Sequence, residues 1–249
     1  MIRVPRMVAA RRSPRLRLIS SESLEPGAAA LDAVVQATPP DSEVVAVAEP
    51  PVHADAARDG AHDAAQVDVE LVARALGAES SAFETLYRRH AEFAFNLAAH
   101  IQGSSTDVED VVHDAFVKAQ EQLEDLRDLA AFRPWLGSIV VRLVRTRLRR
   151  RKLLGALGLT APEPVDIDTI AAADADPESR ALLAQVYTLL QTLSADDRIA
   201  WTLRYVERHR LETVAVMMDC SLATAKRRIG RAQHFLTERF VAPFGSSSS

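Results

Sequence analysis

The chain has 249 residues, 48% of them hydrophobic, 26% charged and only 5% aromatic, a composition that favours helices over a sandwich or barrel. A lone cysteine, Cys220, excludes an internal disulfide and suits a reducing compartment, and no apolar run approaches the roughly 20 residues that a spanning helix needs. The net charge of −4 conceals segregation: residues 1–17 carry +6, residues 18–70 carry −10, and the rest is neutral as a whole.

The basic leader, from Arg3 to Arg17, lacks the apolar core of a secretory signal, so a solvated tail on a cytoplasmic protein is expected. From Ser20 to about Gln66 the chain is rich in Ala, Pro and acids and poor in large apolar residues. Such a stretch cannot bury enough surface to offset its ordering entropy, which predicts a disordered extension over 1–68. Its negative charge suggests intramolecular screening of basic surfaces elsewhere in the chain.

Helical periodicity starts near Val69, where Leu71, Val72, Ala75 and Leu76 mark a short first helix. A second runs through Phe83, Leu86, Tyr87, Ala94, Leu97, Ala98 and Ile101 to a stop at Gly103. Thr106-Asp107-Val108-Glu109 fits a capping box opening a third helix, with Val108, Val111, Val112, Ala115, Phe116, Ala119 and Leu123 on one face. A fourth starts around Pro134 and buries Phe132, Trp135, Leu136, Ile139, Val140, Leu143 and Val144. Its far side carries Arg142, Arg145, Arg147, Arg149, Arg150, Arg151 and Lys152, a basic run without an acid. Four helices with short connections make one helical domain over 69–153.

Residues 154–178 break the pattern with Gly155, Gly158, Pro162, Pro164 and Pro177 among acids, and read as a flexible linker. A second helical domain follows over 179–243. Leu182, Leu183, Val186, Leu189, Leu190 and Leu193 form one helix, and a second capping box at Ser194-Ala195-Asp196-Asp197 leads into Ile199, Ala200, Leu203 and Val206. Leu211 to Met218 is a short helix, Asp219-Cys220 a tight turn, and Ser221 the N-cap of a last helix that buries Leu222, Ala225, Ile229, Ala232 and Leu236. Ser221, Thr224, Lys226, Arg227, Arg228 and Arg231 remain on its outer side. Hydroxyls and cations at the start of such a helix suit phosphates and guanine edges in a major groove.

Two segments together resemble the extracytoplasmic-function (ECF) class of bacterial RNA polymerase sigma factors. FETLYRRHAEFAFNLAAHIQGSSTDVEDVVHDAFVKA with FRPWLGSIVVRLVRTRLRRRK is similar to region 2 of that class, and LSADDRIAWTLRYVERHRLETVAVMMDCSLATAKRRIGRAQHFL to region 4. The resemblance implies an all-α protein of two small domains that docks on core RNA polymerase and directs initiation at −10 and −35 promoter elements. It implies polymerase contact through Asp107, Glu109, Asp110, Asp114 and Phe116. It places the −10 side at Arg133, Trp135, Arg142, Arg145, Arg147, Arg149 and Arg150, and the −35 side at Ser221, Thr224, Lys226, Arg227, Arg228 and Arg231. Core polymerase and promoter DNA are the implied partners, with an anti-sigma factor as a further one. The linker would thread near the path of the transcript. Members commonly carry an Ala-Arg-Asn step where Val140, Val141 and Arg142 stand, and often Asp at the place of Thr146, so base reading in this region is altered.

Two other readings compete with this one. A helix-turn-helix regulator that never joins polymerase leaves the acidic third helix and the basic fourth unexplained. An enzyme would need more than Glu109, Asp110 and His113, whose helical spacing supplies one half of a metal-binding pair and lacks the other. No Gly-rich phosphate loop or nucleophile elbow is present, and no cofactor or catalytic residue is implied. His90, His100 and His209 have no partner at helical spacing and are expected on surfaces.

Overall fold

The computed structural model describes residues 56–159, 164–171 and 175–240. The basic leader and most of the acidic extension lie outside them. Nine α-helices and no strands make up the described residues, as the periodicity requires.

The first helix, α1, spans Ala56–Leu76 and so begins well before Val69. Within it Leu71 and Val72 are buried, and so is Asp68, because this carboxylate reaches back to α2. Helix α2, Ser80–Gln102, ends at Gly103 in the left-handed region (φ 67°), where the glycine N–H closes on the Ala99 carbonyl. Helix α3, Val108–Glu121, sinks its valine and alanine stripe into the core as expected. The capping box at Thr106 does not form. Asp107 takes the N-cap position with φ 56° and no side-chain cap, leaving its carboxylate for Arg151 and its carbonyl for Arg147.

Helix α4, Phe132–Ala156, is the longest, at about 37 Å by its rise per residue. Pro134 sits in its first turn, where no intrahelical N–H is needed. Leu136, Ile139, Val140 and Val144 are buried, but so are Gly137 and Val141, on a second face. One face packs on α2 and α3, and the other meets the C-terminal half of the chain.

Part of the linker is ordered. Asp166 caps the one-turn α5, Ile167–Ile170, while its own N–H donates to the Gly103 carbonyl at 2.9 Å. Helix α6, Pro177–Thr192, opens on Asp176, and α7, Ala195–Trp201, opens on Ser194, whose hydroxyl accepts the Asp197 N–H at 3.1 Å. Thr202–Val206 continues α7 as a π-type turn. Helices α8, Leu211–Met217, and α9, Leu222–Arg239, form the helix-turn-helix. The turn between them uses Asp219 at φ 50°, a conformation a short polar residue tolerates, and the Cys220 N–H returns to the Ala215 carbonyl at 3.0 Å.

The two halves share a core. Val214 and Met217 of α8, with Met218 directly after it, belong to the same buried apolar cluster as Leu97, Leu136, Ile139 and Val141. Gly137 makes the seat: a Cβ there would come within 2.6 Å of Met217 Cε. A second cluster, with Val186, Tyr187, Leu190, Trp201 and Leu236, lies wholly in the C-terminal half.

Candidate nucleic-acid interface

Helix α3 turns Glu109, Asp110 and Asp114 outward because its apolar stripe occupies the opposite side. Asp107 precedes them and is also exposed. Phe116 does not join this surface. It is 3% exposed and braces α3 against α2, edge-on to Phe83 at 6.4 Å and tilted over Tyr87 at 4.6 Å. Phe116 belongs to the apolar stripe, so burial takes it out of direct contact with a partner. The aromatic that reaches solvent here is Tyr87, and Val117 beside it is exposed as well.

The basic run on α4 is divided among three surroundings. Arg147 donates to the Asp107 carbonyl at 2.9 Å and lies 3.4 Å from Asp114, and Arg151 lies 3.4 Å from Asp107. Arg145 and Arg149 turn instead to Asp196 at the start of α7, at 3.0 and 2.9 Å. Arg142 and Arg150 are exposed. At the N-terminal end of α4 the Arg133 guanidinium stacks 4.4 Å above the Phe93 ring, and Trp135 is half-buried against Phe132.

On α9, Ser221 caps the helix by accepting the Thr224 N–H at 3.2 Å, and the two hydroxyls meet at 2.9 Å. Lys226 and Arg227 are exposed. Arg228 and Arg231 face back toward α7: Arg228 lies 3.2 Å from Asp196, and Arg231 lies 2.5 Å from Asp197. The Asp197 hydrogen bond holds the Arg231 guanidinium above its ordinary range.

Asp196 therefore sits among Arg145, Arg149 and Arg228, which come from both halves of the chain. Burial pushes the Arg145 guanidinium down, Arg228 and Arg149 push the same way, and Asp196 opposes them. Arg145 also donates to the Met218 carbonyl at 3.0 Å, and Lys152 to the Leu193 carbonyl at 3.4 Å. A cleft of about 420 Å³ opens beside these contacts, lined by Arg149, Lys152, Leu153, Ala156 and the Ser194–Asp196 turn.

His90 and His100 are partnered across long stretches of chain and His209 is partly buried, which overturns the surface positions expected from their local spacing. His90 is buried 2.9 Å from Asp68, His100 Nδ1 lies 2.5 Å from Glu207 Oε1, and His209 is half-buried near the same glutamate. Glu109, Asp110 and His113 stay exposed, and the described residues contain no group of three His, Cys, Asp or Glu side chains placed to hold a metal. No helix among them is long and apolar enough to cross a membrane.

Comparison with known proteins covers both halves of the chain. Residues 86–153 match Sigma-70 region 2, and residues 183–232 match Sigma-70, region 4. The ECF RNA polymerase sigma-E factor of Escherichia coli K12 is 30% identical over 186 residues, covering 69% of this chain and 93% of that protein. The sigma-E factor of Haemophilus influenzae is 29% identical over 179 residues, with 69% and 94% covered. Among solved structures, CnrH in complex with the cytosolic domain of CnrY is 29% identical, with a TM-score of 0.48 over 69% of this chain and 96% of that one. A regulator built on the helix-turn-helix alone does not account for the region 2 match. The chain belongs to the ECF sigma factors of bacterial RNA polymerase.

Proposed function

We propose that the chain binds core RNA polymerase through the acidic face of α3 and directs initiation by presenting α4 and α9 to promoter DNA. The observation that carries this reading is the separation of charge between adjacent helices. Glu109, Asp110 and Asp114 face outward on α3, while the cations gather on α4 and α9. Complementary charge on a partner supplies steering and register more than raw affinity, which suits a subunit that must dock in one orientation.

On α9, Lys226 and Arg227 stand one turn inside the Ser221 cap, the position from which a recognition helix reaches base edges. On α4, Arg142 and Arg150 are exposed, whereas Val140 and Val141 are fully buried and read nothing. Promoter selection then rests more on α9 than on the middle of α4. The factor works without chemistry of its own, in the cytoplasm, and core polymerase and promoter DNA are its partners. An anti-sigma factor is the regulator that family membership implies.

Reconstitution with core polymerase and run-off transcription on genomic fragments tests the reading. Initiation at discrete sites, dependent on the added chain, is the expected result; no initiation on any template overturns it.

A further inference from the structure

Asp68 is a carboxylate on the packed side of α1, with only 5% of its surface exposed. Burying a charge is costly unless other groups compensate it, so its place is explained by what it meets on α2. Arg89 Nε donates to Asp68 Oδ1 at 3.0 Å, and His90 Nε2 lies 2.9 Å from Asp68 Oδ2. One carboxylate thus holds two consecutive residues of α2. Neighbouring residues point about 100° apart around a helix, so holding both fixes the rotation of α2 as well as its distance from α1.

Beyond His90 the contacts lead in one direction. The imidazole leans on the Phe132 ring, with centroids 5.2 Å apart and planes at 56°. Phe132 opens α4, is fully buried, and meets the Trp135 ring at 5.9 Å. Ala131, at the N-cap, offers no side-chain oxygen, so packing of Phe132 and not a cap holds this first turn. Arg133 follows Phe132 directly and stacks on Phe93, three residues along α2 from His90. Trp135 is half-buried and Arg133 exposed, so the chain of contacts that starts at a buried carboxylate ends at solvent.

We infer that Asp68 is a positioning residue for capture of the −10 strand: it fixes His90, His90 fixes Phe132, and Phe132 sets where Trp135 and Arg133 stand. Asp68 itself touches no DNA. An indole held in one orientation offers a stacking face to an unpaired base, whereas an indole free to turn loses affinity to ordering on binding. Helix α1, which carries neither the polymerase-facing acids nor the promoter-facing cations, thereby takes a part in promoter opening.

The inference rests on the assignment of Arg133 and Trp135 to the −10 side, and its test separates the two. Holoenzyme made with the full chain is titrated with two probes from a promoter at which it initiates, below the melting midpoint of every variant. One probe is a duplex that ends upstream of the −10 element; the other is a fork whose −10 strand is single. Asp68→Ala should weaken fork binding by about fivefold, the lower end of what one stacked base contributes. Binding to the duplex should stay within about twofold, since that probe offers no unpaired base. Asp68→Asn keeps the volume, can accept from Arg89 and can donate to the other tautomer of His90, so it should restore most of the fork affinity. Val72→Ala removes buried packing one turn along α1 without touching the carboxylate, and should leave fork binding unchanged. In the free chain, acrylamide quenching reads Trp135, because Trp201 is fully buried. Asp68→Ala should raise that quenching, and Val72→Ala should not.

Fork binding by Asp68→Ala equal to the parent's overturns the inference. So does an equal loss in Val72→Ala, or an equal loss on both probes, either of which would leave Asp68 a purely structural part. Trp135→Ala tests the assignment beneath it: if that variant binds the fork as well as the parent, the −10 side lies elsewhere and the role of Asp68 falls with it.

Discussion

His100 Nδ1 and Glu207 Oε1 lie 2.5 Å apart, joining the last turn of α2 to the end of the α7 helical segment across 107 positions of sequence. Both side chains are largely buried, at 12% and 14% exposure, so this contact is a tie between the two halves and not a surface ornament. Gly103 stands close by, and a Cβ there would come within 3.0 Å of both Tyr187 and Arg198. The two halves thus meet here as well as at Asp196.

Removing one member of that pair leaves the other desolvated without a partner. His100→Ala should cost about 1–3 kcal/mol of unfolding free energy, the usual penalty for an orphaned buried polar group. Urea denaturation followed by far-ultraviolet circular dichroism measures it. A loss below about 0.5 kcal/mol would show that water takes over the glutamate and that the tie is not a strong one.

Stability should also fall on the acid side of neutrality. Burial holds the His90 imidazole below its ordinary value of 6.5; Asp68 pulls upward, and Arg133 and Arg89 add to the lowering. Burial lowers His209 in the same way. The unfolded chain takes up these protons near its ordinary pKa, whereas the folded chain resists until a lower pH. The stability held by neutral histidine is therefore fully present above about 6.5 and is lost as pH falls from there through the folded values. Urea midpoints should decline across this window, and His90→Gln should shallow the decline. A midpoint that rises as pH falls below 6.5 would contradict the sign.

Phe116 and Asp110 should separate folding from docking. Phe116→Ala removes a buried ring packed on Phe83 and Tyr87 and should cost about 3–5 kcal/mol, read as a lower thermal midpoint. Asp110→Asn, on the exposed face, should leave that midpoint nearly unchanged and weaken binding to core polymerase in a pull-down or anisotropy titration. Equal effects of the two on thermal stability would count against the division.

Arg227 is exposed on α9, whereas Arg228 turns to Asp196 and Arg231 to Asp197. Arg227→Ala should weaken holoenzyme binding to its promoter by about 1–3 kcal/mol if it contacts a base, with specificity relaxed at one position. If it contacts only phosphate, the loss is uniform across sequences and the salt dependence becomes shallower by about one ion. Binding measured over a salt series on the promoter and a scrambled duplex decides between them, and no loss on either would remove Arg227 from the interface.

What was legible in the sequence was what local spacing encodes. The α3 stripe from Val108 to Ala119 repeats at helical period and is buried as written, and Ser221, Asp219 and Cys220 shape the helix-turn-helix from within a few residues. Three things were not local. The partners of His90 and His100 lie 22 and 107 positions away, so spacing offers no sign of them. Thr106 carried the pattern of a cap, but Asp107 in a left-handed conformation, with its carbonyl held by Arg147, decided where α3 begins. Val141 read as a departure from a family step. Its burial on a second face of α4 follows only from where α8 lies. The candidate site shares this limit: residue types on α4 and α9 were readable, and which arginines turn inward was not.

The seat of Met217 on Gly137 bears on how the molecule comes apart. Two small helical bundles on a linker ordinarily melt separately, each with its own midpoint. A methionine from one, buried in the core of the other, makes them a single cooperative unit while the chain is shut. Release of that side chain together with the Asp196 and His100–Glu207 contacts divides the unit in two, so the number of melting transitions becomes a direct count of whether the halves are together.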